Sequence, residues 1–593
     1  MKGGFIENLT KIYGMYTGGF LGFVILMAIL EQMGVGADTI GILFVIFTIF
    51  IYAAIGFLSR TMQTDAYYVA GREVPPVFNG MATAADWMSG ASFIALAGGI
   101  YMKGHGYLAL VVGWTGGYIL VNSLMAPFLR KFGCYTVPDF IGTRYGGNLA
   151  RFIAVIILVQ ASFVYVTAQI NGTGTVAARA LGIPFEVGVW FGLLGILLCS
   201  MLGGMRAVTW TQVAQYIVLI TAYLLPVFWM STKQGFGPFP HLAYGDAVNK
   251  IAELEAAYGV GEVVAKSPGK GLAMLKVPAN APGDPGGVAA WKFFMLTFCM
   301  MTGTASLPHI LMRYFTTPTV RAARKSVAWS LLFIFLLYST APALATLVKL
   351  QLLDSSLPTA IYGKSIADVE ALTWVQKWSE IGFVKIVDQN ADGILNINDF
   401  FMNGQIVVLA TPEMAGLPYV ISGLVAAGGM AAAMSTADGL LLAIANAISH
   451  DLYYSIIDPT ADTKKRLIVA RILLVLIGAA SALVASLKIQ GILGSVIWAF
   501  NFANSGLFFP LVLGVWWKRM NRAGAIAGML AGFISGGLYL YMIHNKLMAP
   551  VAHISGLHFG MIGMPISLIC CVVFSLATAP PDKATQDMVD DVR

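Results

Sequence analysis

Between Asp388 and Asp399, oxygen-bearing side chains fall at the first, third, fifth, ninth and twelfth places of a twelve-residue stretch, with Gly393 at the sixth. This is the spacing of an EF-hand-type calcium loop, which takes ligands at positions 1, 3, 5, 7, 9 and 12 and turns sharply at a glycine. The spacing assigns Asp388, Asn390, Asp392, the carbonyl of Ile394, Asn396 and Asp399 to a structural Ca2+ ion. Aspartate at the twelfth place reaches less well than glutamate as a bidentate ligand. The expected affinity is therefore modest, which suffices outside a cell, where such modules work at about 10⁻⁴–10⁻³ M. The simpler alternative is a solvated Asn/Asp turn.

A second set of polar residues lies inside apolar stretches. NGMATAADWMSGASFIALAGG places Asp86, Ser89, Gly90 and Ser92 together, and FFMLTFCMMTGTASLPHILMR carries Thr302, Gly303, Thr304, Pro308 and His309. GGMAAAMSTADGLLLAIANAISHDLY carries Ser435, Thr436 and Asp438. Interrupted membrane helices expose carbonyls, and neighbouring hydroxyls complete an oxygen shell for a hard cation such as Na+. The competing reading of the Ser435–Thr436 pair is a back-bond to a carbonyl one turn earlier. Asp86 and Asp438 are costly in lipid, so each is a candidate for ion or proton coupling. His309 stands one turn before Arg313, as a gate, an ion-pair partner or simply a satisfied interfacial histidine.

The elements that hold these residues are membrane spans. The chain has 593 residues, 58% hydrophobic and 11% charged, against about 25% charged in soluble domains. Fourteen apolar segments recur near 15–35, 39–59, 77–100, 106–128, 151–176, 185–203, 209–231, 290–312, 326–348, 412–449, 467–486, 489–513, 523–543 and 557–578. Each is close to the 20 or so residues that cross about 30 Å of hydrocarbon. The tenth is too long for one crossing and is expected to include a peripheral turn. The third, eighth and tenth are expected to be interrupted.

Basic residues in short loops alternate with this count. Arg60 and Arg72, Arg130 and Lys131, Arg206, Arg313 to Lys325, Lys464 to Arg466, and Lys518 to Arg522 all fall on one side. The positive-inside rule makes that side, and both termini, cytoplasmic. The loops 232–289 and 349–411 then face outward. The net charge of +7 belongs to this pattern and does not indicate nucleic-acid binding. The five cysteines match no metal motif. No nucleophile–base pair or catalytic metal cluster is visible, so an enzyme is not expected.

The stretches TDAYYVAGREVPPVFNGMATAADWMSGASFI, GGMRAVTWTQVAQYIVL, GTASLPHILMRYFTTPTVRAARKS and AAAMSTADGLLLAIANAISHDLYY resemble the sodium/solute symporter family, most nearly its cation/acetate symporter branch. The likeness runs over roughly residues 38–578. It implies an all-α polytopic membrane protein with two inverted five-helix repeats of the LeuT type and extra flanking helices. Residues 1–37 are an additional span, and 38–76 the first family span with a cytoplasmic loop. The transport core occupies 77–513 and the last spans 514–579, followed by a short cytoplasmic tail at 580–593 that is expected to be disordered. The family's sodium site, carried over, falls on Ala85, Met88, Ala432, Ser435 and Thr436.

Positions that contact sugar in galactose-transporting relatives fall on Ala91 and Ser92, which disfavours a sugar. Gln212 follows the WT of the family signature, as in the acetate branch, and Trp87 stands where proline-transporting relatives carry aspartate. The implied function is symport of a small monocarboxylate such as acetate with sodium, by alternating access, in a bacterial inner membrane. Ser89, Ser92, Thr302 and Thr304 are the candidate substrate contacts. The alternatives are sodium- or proton-coupled uptake of an amino acid or other organic anion, or a transporter-like subunit or sensor. The added first span is also a candidate surface for a small accessory membrane subunit.

Overall fold

The computed structural model describes residues 6–258 and 288–593. The Gly/Pro/Ala-rich part of the first long loop, 259–287, lies outside the described residues. Helices dominate because lipid offers no partner for backbone N–H and C=O groups, and a helix satisfies them internally. Among the described residues, eleven helical stretches are long and apolar enough to cross a membrane. The bent pair Ala289–Thr304 and Pro308–Phe315 adds a twelfth, and Phe185–Ser200 is a shorter apolar helix. One of the eleven, Ala91–Phe132, folds back at Gly104, whose φ is +64°, and so supplies parts of the third and fourth spans. Helices thus stand at all fourteen positions read from hydropathy.

Spans three and eight, the first of each five-helix unit, are the interrupted ones. Span three runs as Pro76–Trp87, leaves helical geometry at Met88 (φ −75°, ψ 65°), and resumes through a wide π turn at Ala91–Ala95 into Leu96–Lys103. Span eight is bent by 41° between Thr304 and Pro308. Proline there suits the first position of a restarted helix, since its missing N–H would be unpaired anyway.

The tenth span corrects the expectation of a third interruption. Tyr419–Asn446 is a continuous α-helix through Ser435, Thr436 and Asp438, extended in π geometry by Ala447–Ile457. The expected peripheral turn falls before it, between a separate helix, Val407–Met414, and Tyr419, while the span itself runs 39 residues to Ile457. The hydroxyls of Ser435 and Thr436 reach the carbonyl of Ala432 on their own helix, so this polar stretch carries its oxygen ligands without losing its ladder.

Spans five and seven pack along span ten, and span three packs between spans seven and nine. The first span reaches the core at both ends. The Tyr13 hydroxyl donates to the carbonyl of Trp210 at 2.7 Å, and the Glu31 carboxylate accepts the N–H groups of Tyr419 and Val420 at 2.7 and 2.9 Å, capping span ten. The tail is a further correction. Lys583–Val592 is a helix, capped by Asp582, and Asp590 pairs with Lys518. Its apolar face buries Val589 and Val592, which an irregular segment would leave in water.

Candidate functional site

The gap in span three lies directly against the middle of span ten. Ser435 Oγ donates to the carbonyl of Ala85 at 2.7 Å, and Thr436 Oγ1 donates to the carbonyl of Asp86 at 2.7 Å. Ala85, Met88, Ala432, Ser435 and Thr436 are all fully buried. Four of these five candidates therefore share one cluster of neutral oxygens. Met88 sits at the break itself, and the carbonyl of Asp86 takes a place in the cluster that sequence reasoning did not assign. Gln212 Nε2 donates to the carbonyl of Ser435 at 2.7 Å, and Gln169 Oε1 accepts the N–H of Gly90 at 2.7 Å. Both amides brace the cluster from spans seven and five. Gln169 has the signal that marked the others, a polar residue within an apolar span, and it was missed because no motif surrounds it.

Asp86 is answered by Arg313, not by His309. Arg313 Nε lies 2.8 Å from Asp86 Oδ2, with both side chains at 0% exposure. Arg313 Nη1 also donates to Thr209 Oγ1 at 3.3 Å. Asn79 ties the arrangement down, donating to the carbonyl of Arg313 at 3.1 Å and to Ser326 Oγ at 2.7 Å. The charge of Asp86 is thus compensated by the second broken helix, and the two interruptions are joined by one ion pair. Gly439 lies against this pair, where a Cβ would meet the Asp86 carboxylate. Asp438 is buried one residue before it.

The candidate substrate contacts divide. Ser92 Oγ lies 2.5 Å from the Tyr338 hydroxyl, and Ser89 Oγ accepts the Ser92 N–H at 3.4 Å, both at the gap. Thr302 and Thr304 donate to carbonyls of their own helix, Phe298 at 2.8 Å and Met300 at 2.7 Å, and Thr302 also accepts from Asn504. Their hydroxyls are spoken for within spans eight and twelve. Aromatic rings instead line the gap. Trp87 meets Tyr118 and Phe500 edgewise or tilted, Trp114 meets Tyr338 and Phe500, and Tyr165 meets His309 and Phe500. Within this group Trp114 Nε1, the Tyr118 hydroxyl and both ring nitrogens of His309 are buried without a protein hydrogen-bond partner. Buried polar atoms without a protein partner thus stand among aromatic rings at the gap.

The calcium-like stretch is the turn of a hairpin between β1 (Val384–Ile386) and β2 (Phe400–Met402). Asp388 accepts the N–H of Gly393 at 3.0 Å. Asp392 accepts that of Ile394 at 2.8 Å, which holds its exposed carboxyl below the usual range. Asp399 is buried and accepts the N–H groups of Gln389 and Asn396 at 3.0 and 2.9 Å. Asn390 and Asn396 both donate to Asp392, at 2.7 and 3.4 Å. The loop is closed by these bonds.

Among the described residues, the one cluster of three ligand-type side chains within 4.8 Å of each other is elsewhere, Asp139, His450 and Asp451. Arg151 flanks both of its carboxylates, at 3.1 and 3.8 Å. Arg466 lies 3.1 Å from His450 Nδ1. An arginine only donates, so His450 Nδ1 accepts there, and Arg151, paired with both carboxylates, makes the cluster an ion-pair latch between span ten and the helix Val137–Tyr145.

Comparison with known proteins agrees with this architecture. The chain is 40% identical to an uncharacterized symporter of Cupriavidus necator, over 97% of this chain and 96% of the relative. It is 25% identical to a monocarboxylic acid transporter of Corynebacterium glutamicum, over 93% and 92%. The solved structure of a Na+-coupled sialic acid symporter in a substrate-bound, outward-open state superposes with a TM-score of 0.65, at 16% identity, over 92% of this chain and 99% of that one. The fold is thus the LeuT-type inverted repeat. The model of the sodium:solute symporter family matches residues 67–351 and 403–532, more than half of the sequence. The chain is a multi-pass membrane transporter that moves a small polar organic solute with sodium, and it belongs to the sodium:solute symporter family.

Proposed function

We propose that the solute is a small monocarboxylate such as acetate, and that Ala85, Met88, Ala432, Ser435 and Thr436 hold the coupling sodium. The observation that carries the sodium assignment is the pair of 2.7 Å contacts from the Ser435 and Thr436 hydroxyls to carbonyls at the gap of span three. Neutral oxygens suit a monovalent hard cation. A sodium ion shared by the two spans would stabilise the arrangement in which they meet, which is how occupancy biases one side of an alternating-access cycle.

The carboxylate reading is supported by the buried N–H and O–H donors at the gap and by its small, aromatic-walled setting. The Corynebacterium relative adds support by its name. Ser89 and Ser92 belong to this binding region, with Trp114, Tyr118 and His309 as further contacts. Thr302 and Thr304 act in it through helix geometry, since their hydroxyls are engaged. A Ca2+ ion within 388–399 is an accessory part of this reading and is supported by ligand spacing alone. Thermal unfolding with calcium or with a chelator tests it, and an unchanged melting temperature removes the ion.

Uptake into proteoliposomes under imposed sodium or proton gradients tests the main reading, with labelled acetate, pyruvate, lactate and proline compared. Sodium-driven accumulation of a monocarboxylate in preference to proline is expected. Accumulation of proline alone, or a response only to the proton gradient, overturns it.

A further inference from the structure

A cavity of about 490 Å3 opens at the membrane face that carries the 349–411 loop. Its walls are the start of span two (Gly36–Gly41), the end of span five (Val176–Ala180), the start of span ten (Tyr419–Ala426) and the short helix Thr373–Glu380. These positions lie within about 12 Å of the span ends at 1.5 Å per residue. That is the depth of lipid headgroups and the outermost acyl carbons, given a hydrocarbon core of about 30 Å within 40–45 Å overall.

The cavity holds two cations and two anions. Arg179 Nη2 pairs with Glu413 Oε1 at 2.5 Å, and Lys377 Nζ pairs with Asp38 Oδ1 at 2.5 Å. Arg179 Nη1 stands 4.0 Å from the same Asp38 oxygen, and Arg179 Nε is buried without a hydrogen-bond partner. Trp378 donates to Glu413 at 3.1 Å and lies under the Arg179 guanidinium. Apolar walls complete it, Leu409 and Leu417 among them. With its charges balanced, the site suits a neutral molecule that carries one charge of each sign.

Two features point to where that molecule comes from. Asp38 and Lys377 belong to segments outside the matched family model, whereas Arg179 and Glu413 lie within it. The cavity is thus made where added segments meet the core. The cavity also lies at headgroup depth, where a lipid is the zwitterion at hand.

We propose that this cavity is a lipid site for a phospholipid whose headgroup carries a primary amine, as in phosphatidylethanolamine. The phosphate takes Lys377 and the free Nε of Arg179, and the ammonium takes Asp38 and Glu413 beside the Trp378 ring. In the Lys377–Asp38 pair Asp38 is exposed at 68% and Lys377 at 28%, and pairs open to water on one side are weak. It opens readily, while the more enclosed Arg179–Glu413 pair keeps the frame. A primary ammonium donates three hydrogen bonds to carboxylates, which a quaternary choline cannot do. A glycerol headgroup leaves the phosphate charge uncompensated.

Native mass spectrometry of the purified full chain tests this, after equilibration with phosphatidylethanolamine, phosphatidylcholine or phosphatidylglycerol of identical acyl chains. Selective retention of the ethanolamine lipid is expected, reduced about tenfold in Lys377→Ala and in Asp38→Asn and restored in Lys377→Arg. Monodispersity of each variant on size exclusion separates lost binding from lost folding. Equal retention of the three lipids overturns the proposal, as does retention unchanged in both variants. Displacement of the lipid by soluble phosphoethanolamine at comparable concentration overturns the lipid source in favour of a soluble zwitterion. None of these readings depends on transport, so the outcome stands apart from the identity of the transported solute.

Discussion

Arg313 and Asp86 are both removed from water, and a buried charge is tolerable only while its partner is present. Removing one partner of such a pair costs about 3–5 kcal/mol, whereas replacing both with neutral groups of like shape is often near neutral. Arg313→Gln alone is therefore expected to lower the stability of the purified protein strongly. The double variant Asp86→Asn with Arg313→Gln is expected to recover much of the loss, as read by thermal unfolding in detergent. At the adjacent oxygen cluster the effect belongs to function instead. Ser435→Ala or Thr436→Ala removes one oxygen of the proposed sodium site, and the sodium concentration for half-maximal uptake is expected to rise about tenfold, equivalent to about 1.4 kcal/mol. Uptake kinetics measured against sodium check this, and an unchanged sodium requirement in both variants removes them from the site.

The helices that carry these residues differ in how legible they were. Spans three and eight announce their breaks, through Met-Ser-Gly in one and Gly-Thr-Ala-Ser-Leu-Pro in the other. Span ten looked equally interrupted, yet Gly428, Gly429 and Gly439 serve close packing within an unbroken helix. A glycine in a span has two uses, and sequence alone does not separate a break from a contact. The same limit applies to Asp86, whose partner lies 227 residues away. That an intramembrane carboxylate needs a partner is evident from its cost, but which one is a matter of how the two broken helices cross. Gly439 gives the packing reading a test. A methyl group there meets the Asp86 carboxylate, and overpacking of this kind costs about 1–3 kcal/mol. Gly439→Ala is expected to lower the melting temperature and the uptake rate together, while Gly182→Ala, with nothing within 4 Å of its Cβ but a φ of +64°, is expected to affect stability alone.

At the scale of the whole molecule, the arrangement of charge carries information that no single contact does. Among the described residues the basic loops touch one another, Arg72 at Gly133, Arg466 over Tyr68 and Arg471 at Thr61, while the segment with the Asp388–Asp399 hairpin meets the opposite ends of the spans, Lys377 at Asp38. If the positive-inside rule orients this chain, the tail helix Lys583–Val592 lies in the cytoplasm and the hairpin lies outside. The protein is well suited to a direct test, because four of its five cysteines are buried and Cys570 is only half-buried within the last span. Cysteine introduced at the exposed Asn390 or at the exposed Lys583 therefore reports against a low background. In intact cells a membrane-impermeant maleimide is expected to label Asn390→Cys and to spare Lys583→Cys until the membrane is opened. The reverse pattern would invert the array and with it the direction of sodium entry. Labelling of both sites in intact cells would mean that one terminal span does not cross, and the even span number, which places both termini on one side, would fall with it.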